Sequence, residues 1–91
     1  MNGGPVARQR LDKWLCHARF GRTRTRSAAL VRSGHVRVNT VRVTDPGKGV
    51  KVGDVLTLAL PDRVRVMRIL AFAEYRGDFE AAQGLYEDIA P

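Results

Sequence analysis

The stretch RLDKWLCHARFGRTRTRSAALVRSGHVRVNTVRV, residues 10–43, changes its hydrophobic period partway along, and that change decides the fold. Its first part is helical. Leu11, Trp14, Leu15 and Ala18 recur at spacings of three and four, one apolar stripe on a helix expected over residues 8–19. A helix turns by about 100° per residue, so Arg10, Lys13 and His17 gather beside the stripe while Asp12, Cys16 and Arg19 lie on its other side. Gly21 ends this helix, and Arg22-Thr23 opens a second one with Thr23 or Thr25 as its N-cap. Ser27, Ala28, Leu30 and Val31 form its inward face, and the small Ser27 and Ala28 allow the two helices to approach closely. Gly34 is the expected left-handed terminator.

Beyond Gly34 the period drops from 3.6 to two. Val36 and Val38 alternate with His35, Arg37 and Asn39, and Val41 and Val43 alternate with Arg42. Asn39-Thr40 is the tight turn between them, because Asn tolerates positive φ. Asp45-Pro46-Gly47-Lys48-Gly49 reads as a loop; Val50 and Val52 lead to a Gly53-Asp54 turn and a strand over residues 55–60. Pro61-Asp62 turns into a strand over 63–70, with Val64 and Val66 on one face and residues 71–76 as an extension. Residues 78–88 read as a terminal helix carrying Phe79, Ala82 and Tyr86. The order ααββββα predicts an α+β fold: two N-terminal helices packed on a small curved antiparallel sheet, with a short C-terminal helix. Residues 1–7 read as a flexible leader, 8–88 as a single domain and 89–91 as a tail.

At 91 residues the chain can bury one core but not a deep cleft between lobes. No run approaches the ~18 apolar residues that span a bilayer, and the first residues lack a signal-peptide pattern. The single cysteine, Cys16, has no partner for an internal disulfide, so a reducing cytoplasm is expected. The net charge is +7 and unevenly spread: residues 1–51 hold twelve Lys and Arg against two acids, residues 52–91 four against seven. The excess therefore belongs wholly to the first half, which points to a polyanionic partner on one face.

The residues of an enzyme are not assembled. Cys16 and His17 are adjacent and His35 stands alone, so no metal-ligand cluster is expected. There is no nucleophile elbow and no complete phosphate loop; Gly47-Lys48-Gly49 lacks the flanking pattern and reads as a hairpin turn. Asp12 and Asp45 are too isolated for a general acid–base pair. The expectation is no catalytic residue, no metal and no cofactor.

Binding chemistry is present instead. Arg22, Arg24 and Arg26 bracket a helix start, where backbone N–H groups and the helix dipole already favour anions. Nearly all the cations are arginine, which grips phosphate bidentately and stacks on bases. Trp14 lies on the apolar stripe and is assigned to the core, and Asn39 to the turn; His17 and His35 are left open between surface positions and phosphate donors. Phe79 and Tyr86 are expected to pin the last helix to the sheet.

The segments Arg10-Leu11-Asp12-Lys13-Trp14-Leu15, Ala18-Arg19-Phe20, Thr23-Arg24 and Ser33-Gly34-His35-Val36-Arg37-Val38-Asn39 closely resemble the S-four (S4) RNA-binding domain, named after small-subunit ribosomal protein four. Val50-Lys51-Val52-Gly53-Asp54-Val55-Leu56 matches that domain's closing turn and strand. Ala81-Ala82 and Leu85-Tyr86-Glu87 resemble its stand-alone members, the ribosome-associated heat-shock protein fifteen family and its quality-control relatives. The resemblance covers roughly residues 8–88. It implies an αL-type RNA-binding motif and binding of large-subunit rRNA or tRNA on the ribosome, where members act on free large subunits carrying a stalled nascent chain. Carried over by position, the RNA face is Arg8, Arg10, Lys13, Arg19, Arg22, Thr23, Arg24, Arg26, His35, Arg37 and Asn39. Two departures stand out: Cys16 replaces a frequent second Trp, and an acidic segment precedes Pro91 where longer members carry a basic extension. The shorter quality-control relatives are accordingly the nearer analogy. The alternatives are a protein-interaction adaptor using its basic face, an RNA-targeting subunit of a modifying enzyme, and DNA binding, although nothing here resembles a major-groove reader.

Overall fold

The computed structural model describes residues 7–90, so the expected leader lies, up to residue 6, outside the described residues. The elements are β1 (Gln9–Arg10), α1 (Leu11–His17), α2 (Arg24–Arg32), β2 (Val36–Val38), β3 (Val41–Arg42), β4 (Gly49–Val50), β5 (Val55–Leu60), β6 (Arg63–Ile69), α3 (Phe79–Gln83) and β7 (Tyr86–Ala90). The fold is α+β. A five-stranded antiparallel sheet runs β3-β2-β5-β6-β7, and β1 pairs with β4 beside it.

The first helix is shorter than its periodicity suggests. Residues 9 and 10 are extended because they pair with Val50 and Gly49, and α1 begins only at Leu11. No side chain caps it. The carbonyls of Lys48 and Pro46 accept from the Leu11 and Asp12 amides at 2.9 and 3.0 Å, so the loop over 45–49 closes a helix start rather than a hairpin. Residues 21–27 behave as read: the Thr23 hydroxyl accepts from the Arg26 amide at 3.0 Å and caps α2. Gly21 is required there, because a Cβ on it would lie 2.0 Å from the Ser27 Oγ, itself fully buried between the helices. Gly34, at φ 83°, terminates α2.

The β2–β3 hairpin turns on Asn39 and Thr40, both left-handed at φ 50° and 73°, which matches the twist of the flanking strands. The Asn39 side chain then binds the next strand: its Nδ2 donates to Asp54 at 3.1 Å and its Oδ1 accepts from the Val55 amide at 2.9 Å. One sheet face packs on the helices through Val36, Leu56, Leu58, Met67 and Ile69, all fully buried with Leu11, Trp14, Leu15 and Val31. Val64 and Val66 face the other way, and Val64 is exposed.

The C-terminal third departs from expectation. Residues 71–76 do not extend β6; their irregular backbone lets the Ala71 carbonyl accept from the Trp14 indole N–H at 3.1 Å. The expected helix over 78–88 is five residues long, capped by Asp78, and the chain then becomes β7. Pairing along β6 overrides the spacing of Phe79, Ala82 and Tyr86. Arg65–Asp88 at 2.6 Å and Arg68–Glu87 at 2.7 Å cross-link the two strands. Tyr86 lies against Phe20 with ring centroids 4.9 Å apart, while Phe79 is exposed instead of pinned. Trp14 joins α1, the sheet and residue 71 in one contact set. Trp14→Ala is expected to cost about 3–5 kcal/mol, measured by urea unfolding followed by circular dichroism; a loss below about 1 kcal/mol would show that the indole is not central to packing.

Candidate nucleic-acid interface

Helix α2 starts with a cluster of cations around exposed amides. Its first helical hydrogen bond runs from the Ser27 amide to the Thr23 carbonyl at 2.9 Å, so the Arg24 and Thr25 amides precede any helical acceptor. Arg22, Arg24 and Arg26 are all exposed around that end. Beneath them lies Asp12, on α1 and only 4% exposed. Arg10 grips it with two bonds, Nε to Oδ1 at 3.1 Å and Nη2 to Oδ2 at 3.0 Å, and Arg24 Nη2 lies 3.6 Å from Oδ1. Burial disfavours the Asp12 anion, but the Arg10 bonds and the Arg10 and Arg24 charges outweigh that and hold its carboxyl below the usual range. The two arginine side chains remain about half exposed (55% and 52%), so neither is used up by its contact with Asp12.

The other expected site residues are spread over several elements. Arg8 is exposed against Gly49 and lines one polar depression with Asn39, Lys48 and Lys51. Lys13 is half-buried on α1. Arg19 is exposed and its Nη1 donates to the Gly77 carbonyl at 2.8 Å. Arg26 and His35 share a groove between α2 and the β5–β6 turn, and the His35 ring meets the Ser33 hydroxyl. Arg37 is exposed on β2, directly opposite Arg42 of β3. Thr23 and Asn39 are committed to structure: the Thr23 oxygen caps α2, and both ends of the Asn39 amide are occupied.

Several features were not visible in the sequence. Asp12 organises the cluster, but only the fold brings residue 12 to residue 24. Lys48 and Lys51 extend the basic surface beside Arg8; Lys51 also pairs with buried Asp54 at 2.6 Å. His17 is not a surface residue. It is 6% exposed, with Nδ1 3.0 Å from the Ala73 carbonyl, so the neutral ring carries its proton on that nitrogen. Spacing along α1 carries no sign of this cover, which comes from the backbone at residue 73.

Among the described residues no group of three or more His, Cys, Asp or Glu is placed to share a metal ion, and no helix is long and apolar enough to cross a membrane.

Comparison with known proteins matches residues 9–56 to the S4 domain. The chain is 38% identical over 79 residues to the heat shock protein 15 homolog of Haemophilus influenzae, covering 87% of this chain and 60% of that protein. It is 36% identical over 90 residues to heat shock protein 15 of Escherichia coli K12, covering 99% and 67%. The chain thus spans about three fifths of the first relative's length and two thirds of the second's. Among solved structures, the trimeric heat shock protein 15 of Vibrio cholerae superposes with a TM-score of 0.85 at 34% identity, covering 92% of this chain and 84% of that one.

His17 yields a pH test. Burial first, then the nearby Lys13 and Arg24 charges, lower its pKa below the ordinary 6.5. The fold therefore accommodates the neutral ring, and this contribution is complete above pH ~6.5 and lost as pH falls below it. Thermal stability is expected to fall between pH 7.5 and 5, and His17→Gln to flatten that slope; an unchanged slope in the variant would refute the assignment.

Proposed function

The chain belongs to the S4-domain family, and on that premise we propose that it is a non-enzymatic RNA-binding protein of the ribosome that holds structured RNA on the surface around residues 22–26. The observation that carries this reading is the exposed trio Arg22, Arg24 and Arg26 around the open amides of α2, with Arg10 and Arg24 set by one buried carboxylate. Such a surface reads phosphate spacing. The deep major groove of A-form RNA excludes side chains, so a helix start and a row of guanidinium groups recognise backbone geometry and irregular junctions. The 44% identity over 63 residues to small ribosomal subunit protein uS4 of a Synechococcus strain supports an association with the ribosome. Within that setting the partner is rRNA of the large subunit or tRNA, on free large subunits that carry a stalled nascent chain, in translation rescue or quality control in the cytoplasm. The RNA face comprises Arg8, Arg10, Lys13, Arg19, Arg22, Thr23, Arg24, Arg26, His35, Arg37 and Asn39, with Thr23 and Asn39 contributing through the turns they shape.

Affinity for a structured rRNA fragment is expected to fall steeply with salt, by about 0.7–0.9 log units per decade of salt for each phosphate neutralised. Arg22 and Arg26 make no ion pair among the described residues, so Arg22→Glu/Arg26→Glu spares the Asp12 cluster. This variant should keep its thermal stability and lose about a hundredfold in affinity or more. A flat salt profile, or an affinity equal to wild type in the folded variant, contradicts the reading. Sucrose-gradient sedimentation tests the ribosomal address: co-migration with free large subunits under stalled translation is expected, and association with small subunits alone would redirect it.

A further inference from the structure

Phe79 is a large apolar side chain on the first turn of α3, yet it is 64% exposed and nothing in the core accounts for it. It lines a cleft of about 320 Å³ with Arg19, Phe20, Arg63, Arg65 and Tyr86. We infer that this cleft receives an unpaired nucleobase of the bound RNA, stacked on Phe79 and flanked by the phosphate-binding arginines; the inference rests on the RNA-binding reading above.

Three observations carry it. First, the cleft combines flat apolar surface with cations in the manner of single-stranded nucleic-acid sites, where bases stack on aromatic rings while arginines track the backbone. Phe20 and Tyr86 form its floor, 4.9 Å apart between centroids, over the fully buried Trp14. The Arg65 guanidinium sits 5.1 Å from the Phe20 ring and 5.7 Å from the Tyr86 ring, held by Asp88 at 2.6 Å. Those two faces are therefore already taken, and Phe79 is left as the open wall. Second, Arg19 adopts a left-handed backbone at φ 67° where helix α1 ends, a position that glycine occupies at less cost. An arginine there brings its side chain to the cleft and donates to the Gly77 carbonyl, which positions the segment leading into Phe79. Third, Phe20 of the cleft and Arg22 of the cationic cluster are two residues apart, so their Cα atoms lie within about 7 Å, and one bound strand can contact both.

The test uses two RNA hairpins of equal length and charge, one fully paired and one with a single-nucleotide bulge, titrated with the wild-type chain and with Phe79→Ala, Phe79→Leu and Phe79→Trp. Wild type is expected to prefer the bulged hairpin, and Phe79→Ala to lose about five- to a hundredfold on that RNA only, as expected for one stacked base. Its salt slope should not change, because no cation is removed. Phe79→Leu should behave like Phe79→Ala. Phe79→Trp should restore the preference, and the fluorescence of the introduced indole should be quenched on binding. Equal affinities of wild type and Phe79→Ala for both hairpins would overturn the inference while leaving RNA binding intact. So would a change in oligomeric mass in place of an RNA defect, which would make Phe79 a contact between copies of the chain. A wild-type chain that binds neither hairpin at low salt contradicts the RNA-binding reading itself, and this inference with it.

Discussion

The Asp12 carboxylate, almost wholly buried between the guanidinium groups of Arg10 and Arg24, is the contact on which the basic surface depends. A charge taken out of water is tolerated only when it is paired and hydrogen-bonded, and removing a partner from such a cluster leaves the carboxylate poorly compensated. Asp12 lies on α1, Arg10 on β1 and Arg24 on α2, so one small group relates three elements. It also lets two arginines stand close together. Without a shared anion their charges would push them apart; with it, each keeps a fixed direction and leaves donors free for phosphate.

Packing beneath this cluster makes it rigid. Gly21 and Ser27 bring the two helices to a separation that excludes any larger residue at position 21. Trp14 anchors α1 to the sheet and to the carbonyl of Ala71. The hairpin adds a different kind of observation. Arg37 and Arg42 are directly opposite on β2 and β3, where like charges destabilise the pair. A chain selected only for stability gains nothing from that arrangement, whereas one that meets a polyanion recovers the cost on binding. Local rules broken at one surface, and kept in the core, are what a binding face looks like.

Much of the architecture was legible from periodicity. The second helix, the Thr23 cap, the Gly34 terminator and the Asn39-Thr40 turn all follow from local chemistry and stand where the sequence places them. What failed depended on partners far along the chain. Residues 9 and 10 carry a helical pattern but pair with residues 49 and 50, and residues 86–90 carry part of one but pair with β6. For the same reason spacing alone leaves the place of His17 open: its cover comes from residue 73. The arginines of the proposed interface are a local signal, a run of three beside a helix start. Their arrangement is not, since Asp12 and Arg24 meet only through the helix–helix contact.

Where RNA touches the folded chain decides the matter. Amide chemical shifts of isotopically labelled protein, followed by NMR during titration with a structured rRNA fragment at low salt, map that surface directly. The amides of residues 22–26 are expected to move first, together with those of residues 8–10 and 48–51. Shifts confined to the outer face of β5, β6 and β7, with residues 22–26 unmoved, would contradict an interface centred on the start of α2.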